Sequence, residues 1–110
     1  MPTVAGVEAD IEREGEPVEL LRNLPGGKTI AASLKAFVRG FKPDELTGGI
    51  VQGDRAVTIA PRKLQAAGWP DAPRKPDQVT IAGKTATVQN CETRRLRGIA
   101  CMHIVQVRGL

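Results

Sequence analysis

Glycine and proline interrupt this chain so often that no regular element can run far, and that spacing constrains the fold more than any other feature. Twelve glycines and eight prolines stand among 110 residues, and the stretches between them alternate apolar and polar side chains with period two. "EPVELLRN" (16–23) sets Val18 and Leu20 on one face and closes at the turn "LPGGK". "TIAASLKAFVRGF" (29–41) alternates Ile30, Ala32, Leu34, Ala36 and Val38 against Ala31, Ser33, Lys35, Phe37 and Arg39. Its residues tolerate a helix, but period two fits them better than the helical repeat of about 3.6. "RAVTIA" (55–60) resumes with Val57 and Ile59 in register.

Pro61 suits the first position of a helix, where its missing N–H would have no partner anyway. "PRKLQAAGW" is therefore expected to form one or two helical turns ended by Gly68. "PDAPRKPDQ", with prolines at 70, 73 and 76, can neither pair nor coil for long. "QVTIA" (78–82) turns at Gly83, which supplies the positive φ of a tight hairpin, into "KTATVQNCE" (84–92). A second hairpin turns through "RRLRG" into "IACMHIVQVRG" (99–109), and it would bring Cys91 near Cys101.

Six short antiparallel strands in this order define an all-β fold. The expected architecture is a small antiparallel barrel, closed or half-open, with one short helix and a long loop between the second and third strands. Residues 1–15 form an acidic N-terminal arm and 16–110 the single barrel domain. Near Cys101 the last strand is apolar on both faces, so one face fills the barrel. The other, with Met102 and Ile104, is expected to be covered by a neighbouring element or subunit.

The net charge of +4 is unevenly placed. Residues 1–20 hold Glu8, Asp10, Glu12, Glu14, Glu16 and Glu19 against Arg13 alone, a net −5, and the remainder carries +9. Such asymmetry points to an acidic arm that meets a basic body, its own or a neighbour's; a solvated tail is the plainer alternative. No stretch approaches a membrane span, and "MPTVAGVEAD" lacks the regions of a signal peptide, so the chain reads as cytosolic when made.

Catalytic and cofactor chemistry find little purchase. His103 is the sole histidine, set mid-strand among Met102, Ile104 and Val105, which suits a hydrogen-bonded core or interface residue better than a general base. Cys91 and Cys101 lack zinc-ligand spacing and read as small buried hydrophobes. "LPGGK" lacks the first glycine and the hydroxyl residue of a phosphate loop, and "GGIVQG" lacks dinucleotide spacing. Asp44 and Glu45 are adjacent and do not form an acid–base pair. No metal or cofactor is indicated. "RRLR" (94–97) and the two "PRK" runs are basic, yet two Phe, one Trp and no Tyr give bases nothing to stack on.

The segment "FKPDELTGGIVQGDR" (41–55) is odd for a plain loop, because it keeps Leu46, Ile50 and Val51 among three glycines and a proline. Taken with "EPVELLRN", "KAFVRGFKPDELTGGIVQGDRAVTIAPRKLQAAGWP", "DQVTIAGKTATVQNCETRR" and "HIVQVRG", it resembles the small head-tail connector proteins of tailed bacteriophages and prophages, also called stopper, adaptor or head-completion proteins. The resemblance spans about residues 16–109. It departs at "RKPDQV", where such barrels often carry Gly-Asp before the strand.

The resemblance implies a structural virion protein at the head-tail interface, assembled in the host cytoplasm as a homo-oligomeric ring around the DNA channel. It would help retain packaged DNA and join the tail, with a portal or adaptor ring on the head side and a tail terminator or tail tube on the other. It also implies a channel loop bearing Lys42, Glu45, Leu46, Gly48, Gly49, Ile50, Val51, Gln52 and Gly53. The subunit interface would then draw on Glu12, Glu14, Glu16, Arg94, Arg95, Arg97, Met102 and Ile104. The alternatives are a neighbouring neck ring, adaptor or terminator, and a cytosolic nucleic-acid-binding barrel.

Overall fold

The computed structural model describes residues 3–41, 49–50 and 52–109. Lys42, Glu45, Leu46, Gly48 and Val51, assigned above to a channel loop, lie outside the described residues. Six strands, β1 (Glu16–Asn23), β2 (Thr29–Gly40), β3 (Arg55–Ile59), β4 (Gln78–Ile81), β5 (Lys84–Leu96) and β6 (Ile99–Arg108), form a closed antiparallel barrel in the order β1-β2-β3-β6-β5-β4. The short helix α2 (Pro61–Ala66) follows β3 as expected, and a single 3₁₀ turn (Pro25–Gly27) joins β1 to β2.

The inward-facing residues of alternate positions meet across the ladders. Leu20 lies opposite Ala32 on one side and Val79 on the other; Val57 lies opposite Val38 and Val105; Val88 lies opposite Val107. These side chains, with Leu64 of α2 and Trp69, make one buried cluster. Large and small residues alternate within it, as a six-stranded barrel demands, and the interior is a packed core. Any function must therefore sit on the outer faces, the loops and the helices.

The acidic N-terminal segment is more than an arm. Residues Val4–Glu14 form a second helix, α1, which packs on β2 and β6. Thr3 caps it, its hydroxyl accepting from the Gly6 N–H at 2.9 Å, and Val4, Val7 and Ile11 share one face, with Ile11 buried. The carboxylate of Glu8 accepts two bonds from Arg62 of α2, both 2.8 Å. That contact holds Glu8 below the ordinary carboxylate range. Part of the acidic segment thus meets the basic body of its own chain.

The two C-terminal hairpins are tighter than a glycine alone would make them. Ala82 and Gly83, and likewise Arg97 and Gly98, all take positive φ, the requirement of a two-residue turn that matches strand twist. Strand β5 consequently runs on to Leu96 instead of ending near Glu92. This overturns the expected approach of the cysteines: Cys91 pairs with Val105 and Arg94 with Met102, so the thiols sit four positions apart along the ribbon. Both are free.

The proline-rich stretch before β4 is fixed by charge. Arg22, 4% exposed on the inward face of β1, donates to both oxygens of Asp77 at 2.8 Å and to Asp71 at 2.8 Å, and its guanidinium lies 4.9 Å from the Trp69 ring centre. Asp77, 2% exposed, also accepts from the Arg74 backbone N–H at 2.9 Å. The Lys75–Pro76 bond within this stretch is cis. A segment that cannot pair or coil is instead pinned to the barrel by one buried guanidinium.

Candidate functional site

Three surfaces carry the residues singled out in the sequence. The first is the described end of the long loop. Gly49 presents its carbonyl to Gln106 (3.2 Å) and Arg108 (3.0 Å) of β6. The buried Asp54 accepts from the same two side chains, at 2.8 Å from Gln106 and 2.8 and 2.9 Å from Arg108. Ile50 shares a small cavity with Phe41, Asn90, Glu92, Ile104 and Gln106. Gly49 and Ile50 therefore lie along the outer face of β6, and Ile104 is half-buried beside them. Gln52 and Gly53 are exposed, and Gly53 takes a positive φ of 97°.

The second surface is the β5–β6 hairpin. Strand β4 pairs with β5 only as far as Thr87, and β3 pairs with β6 only from His103 onward. Among the described residues, the hairpin tip therefore stands as a two-stranded ribbon. It carries Arg94, Arg95 and Arg97, all exposed, and Ile99 at 52% exposure. Arg94 lies 3.7 Å from Glu92 across open solvent, and Arg95 has no partner among the described residues. Met102 is half-buried on the same ribbon. Against this stands the acidic group of α1 and β1: Asp10, Glu12, Glu14, Glu16 and Glu19 are all exposed. Arg13 takes Asp10 at 2.8 Å and Glu14 at 3.8 Å. Among the described residues no ion pair joins the acidic group to the arginine ribbon.

The third surface surrounds His103. Its Nδ1 lies 2.8 Å from the Thr93 hydroxyl, directly across the hairpin, so the lone histidine is a hydrogen-bonded, 7% exposed residue. A cavity of about 360 Å³ opens beside it, walled by Gln65, Trp69, Pro70, Thr93 and Arg95. A hydroxyl touching an imidazole has part of the geometry of a nucleophile and its base, but among the described residues no carboxylate orients the ring through its other nitrogen. Cys91, half-buried nearby, is pushed up to about 11 by burial and is a neutral thiol near neutral pH. Cys101 donates its S–H to the Arg94 carbonyl at 3.3 Å. Among the described residues no group of three metal-ligating side chains occurs, and no helix is long and apolar enough to cross a membrane.

Burial, and next to it the charge of Arg95, hold His103 below its ordinary value of 6.5. The unfolded chain thus takes up a proton on this histidine at higher pH than the folded chain does. Stability contributed by the neutral ring is complete above about pH 6.5 and is lost as the pH falls below it. Urea midpoints measured between pH 7.5 and 5 are expected to fall, and the fall should be shallower in His103→Gln.

The Thr93–His103 contact was legible in principle, because Arg97–Gly98 as a two-residue turn brings these positions together once one bulge is counted. The Arg22–Asp77–Asp71 cluster was not, since nothing in the local spacing of those residues connects them. Comparison with protein-family models, curated proteins and solved structures finds no match to this chain.

Proposed function

We propose that the chain is a structural component of a phage head-tail connector, acting as a ring subunit around the DNA channel. The observation that carries this reading is the division of exposed charge between an acidic group on α1 and β1 and an arginine ribbon on the β5–β6 hairpin. The two patches differ in composition and position, so pairing one with the other on the next copy is a heterologous contact. Repeated contacts of that kind close into rings where the rotation permits. The filled core agrees with it, since a barrel without a lumen has its outer surfaces to offer partners. The resemblance of residues 16–109 to connector proteins supplies the particular setting.

Glycines 48, 49 and 53 in the long loop would let it rearrange near the channel, and Ile50 would exchange its place in the cavity it shares with Ile104 for one against loops of other subunits. Reversing Glu12, Glu14 and Glu16 together to lysine is expected to leave the thermal melt intact while blocking the joining of tails to filled heads. Single exposed pairs contribute too little to show alone. Negative-stain counts of tailed particles measure the effect, and unimpaired joining by the triple variant would remove the acidic group from assembly. A nucleic-acid-binding barrel would instead bind free duplex with a steep salt dependence.

A further inference from the structure

We infer that the cavity between α2 and the root of the β5–β6 hairpin is a carboxylate-binding site, with Arg95 as the charged anchor and the Thr93–His103 pair as the second contact. The cavity holds three charged or titratable groups, Asp71, Arg95 and His103. Asp71 is already satisfied: Arg22 holds one oxygen at 2.8 Å and Arg74 approaches the other at 3.5 Å. Arg95 has no such partner among the described residues, and its charge is felt at the buried imidazole. The positive charge left over in the cavity is therefore Arg95's, and an anion is what it lacks.

The hydrogen-bonding arithmetic of the pair agrees. Neutral histidine carries one N–H and threonine one O–H, and their mutual 2.8 Å contact consumes one of the two. If Thr93 donates to Nδ1, the ring presents an N–H from Nε2. If the ring donates, the hydroxyl proton is left uncommitted to the pair. The first tautomer leaves the ring N–H for an incoming oxygen, and so does a protonated ring; in the second the hydroxyl proton has the Cys91 sulfur to go to.

The walls select among anions. Pro61, Trp69 and Pro70 offer apolar surface to a methylene stem. One planar guanidinium matches one planar carboxylate in a two-point contact. A phosphate would call for further cations, and among the described residues no lysine or second arginine lines the space. The ligand class that fits is a short aliphatic carboxylate, either a free small acid or a glutamate side chain. The second source is on the chain itself, as the exposed glutamates of α1 and β1 in another copy.

The chain contains one tryptophan and one histidine, so the indole N–H and the imidazole C–H resonances report on this cavity without assignment. The folded protein is titrated with sodium propionate, with propionamide, and with a peptide of residues 8–19 of this sequence. Propionate is expected to move both resonances to saturation and raise the His103 titration midpoint, while propionamide does neither. In Arg95→Gln the propionate affinity should fall by about tenfold or more, and in Thr93→Val by less. Saturation by the peptide at about a tenth of the propionate concentration or lower assigns the site to a second copy; a weaker peptide assigns it to a free small acid. The inference is overturned by shifts that never saturate, by equal responses to propionate and propionamide, or by an unchanged response in Arg95→Gln. The measurement uses the isolated chain, so it stands or falls apart from the ring reading, which the triple glutamate variant decides.

Discussion

Asp77→Ala is expected to destabilise the fold by about 3–5 kcal/mol, the cost of taking from a buried charge the one of its two carboxylates that is itself buried. Asp77 meets the Arg22 guanidinium with both oxygens and also accepts from the Arg74 backbone N–H. Truncation therefore takes the acceptor from three N–H donors at once, two of the guanidinium and one of the main chain. The Nε and Nη2 of Arg22 cannot turn to water, because the side chain is 4% exposed and lies over Trp69; only Nη1 faces the half-exposed Asp71. A domain of this size is stable by roughly 5–15 kcal/mol in all, so the variant should be partly unfolded at modest urea concentrations.

Asp71→Ala is the control. Its carboxylate is 47% exposed, so water replaces it on Arg22 and the loss should be much smaller. Replacing Arg22 by methionine in the Asp77→Ala background should recover part of the loss, since it removes the stranded charge but leaves the Arg74 N–H unanswered. Urea melts of the four proteins decide the matter. Equal losses from Asp71→Ala and Asp77→Ala would show that the guanidinium is solvated and the cluster is a surface feature.

That cluster also marks where sequence reasoning reaches its limit. The strands were legible because a barrel with a filled interior forces period two on every ladder, and Val18, Leu20, Ala32, Val57 and Ile59 carry that period without interruption. The same period places Arg22 inward, two residues beyond Leu20, yet a charge at such a position reads as the strand's exposed end until its partner is known. That partner is 55 residues away, in a proline-rich stretch whose local pattern says only that it is irregular.

The N-terminal helix was missed for a different reason. Six carboxylates dominate residues 1–20 and make the segment read as a charged arm, although Thr3 is a fit cap, Val4, Val7 and Ile11 stand at helical spacing and Gly15 is a stop. The hairpin register differs for a smaller reason: "RRLRG" reads whole as a turn, whereas Arg97 tolerates positive φ and lets the strand continue to Leu96. Of the candidate surfaces, the arginine ribbon and the acidic group could be read from composition, but the carboxylate cavity could not. It exists only because the hairpin overhangs the turn after α2.

Gly15→Ala is expected to cost about 1–3 kcal/mol, as overpacking does where neighbours cannot yield, and to loosen α1 from the barrel. The backbone is not the obstacle, for Gly15 has φ −75° and ψ 167°, an extended conformation open to any residue. Space is the obstacle. A methyl group there would press on the Ile11 carbonyl oxygen and lie 3.0 Å from the Ala36 carbonyl oxygen of β2. Both are main-chain atoms, and neither can swing aside as a side chain would.

The Gly15 N–H bonds to that same Ile11 carbonyl at 2.7 Å, so relief must come from moving the end of α1, and with it the buried Ile11. If the helix lifts, the Glu8–Arg62 contact is lost with it. Glu8→Gln should then lower the melting temperature of the parent slightly and that of Gly15→Ala not at all. Additive losses, or a Gly15→Ala protein as stable as the parent, would mean that α1 accommodates the methyl group while docked. The distinction bears on the ring proposed above, because Glu12 and Glu14 would face a neighbouring copy in a fixed array only while the helix that carries them is held against β2.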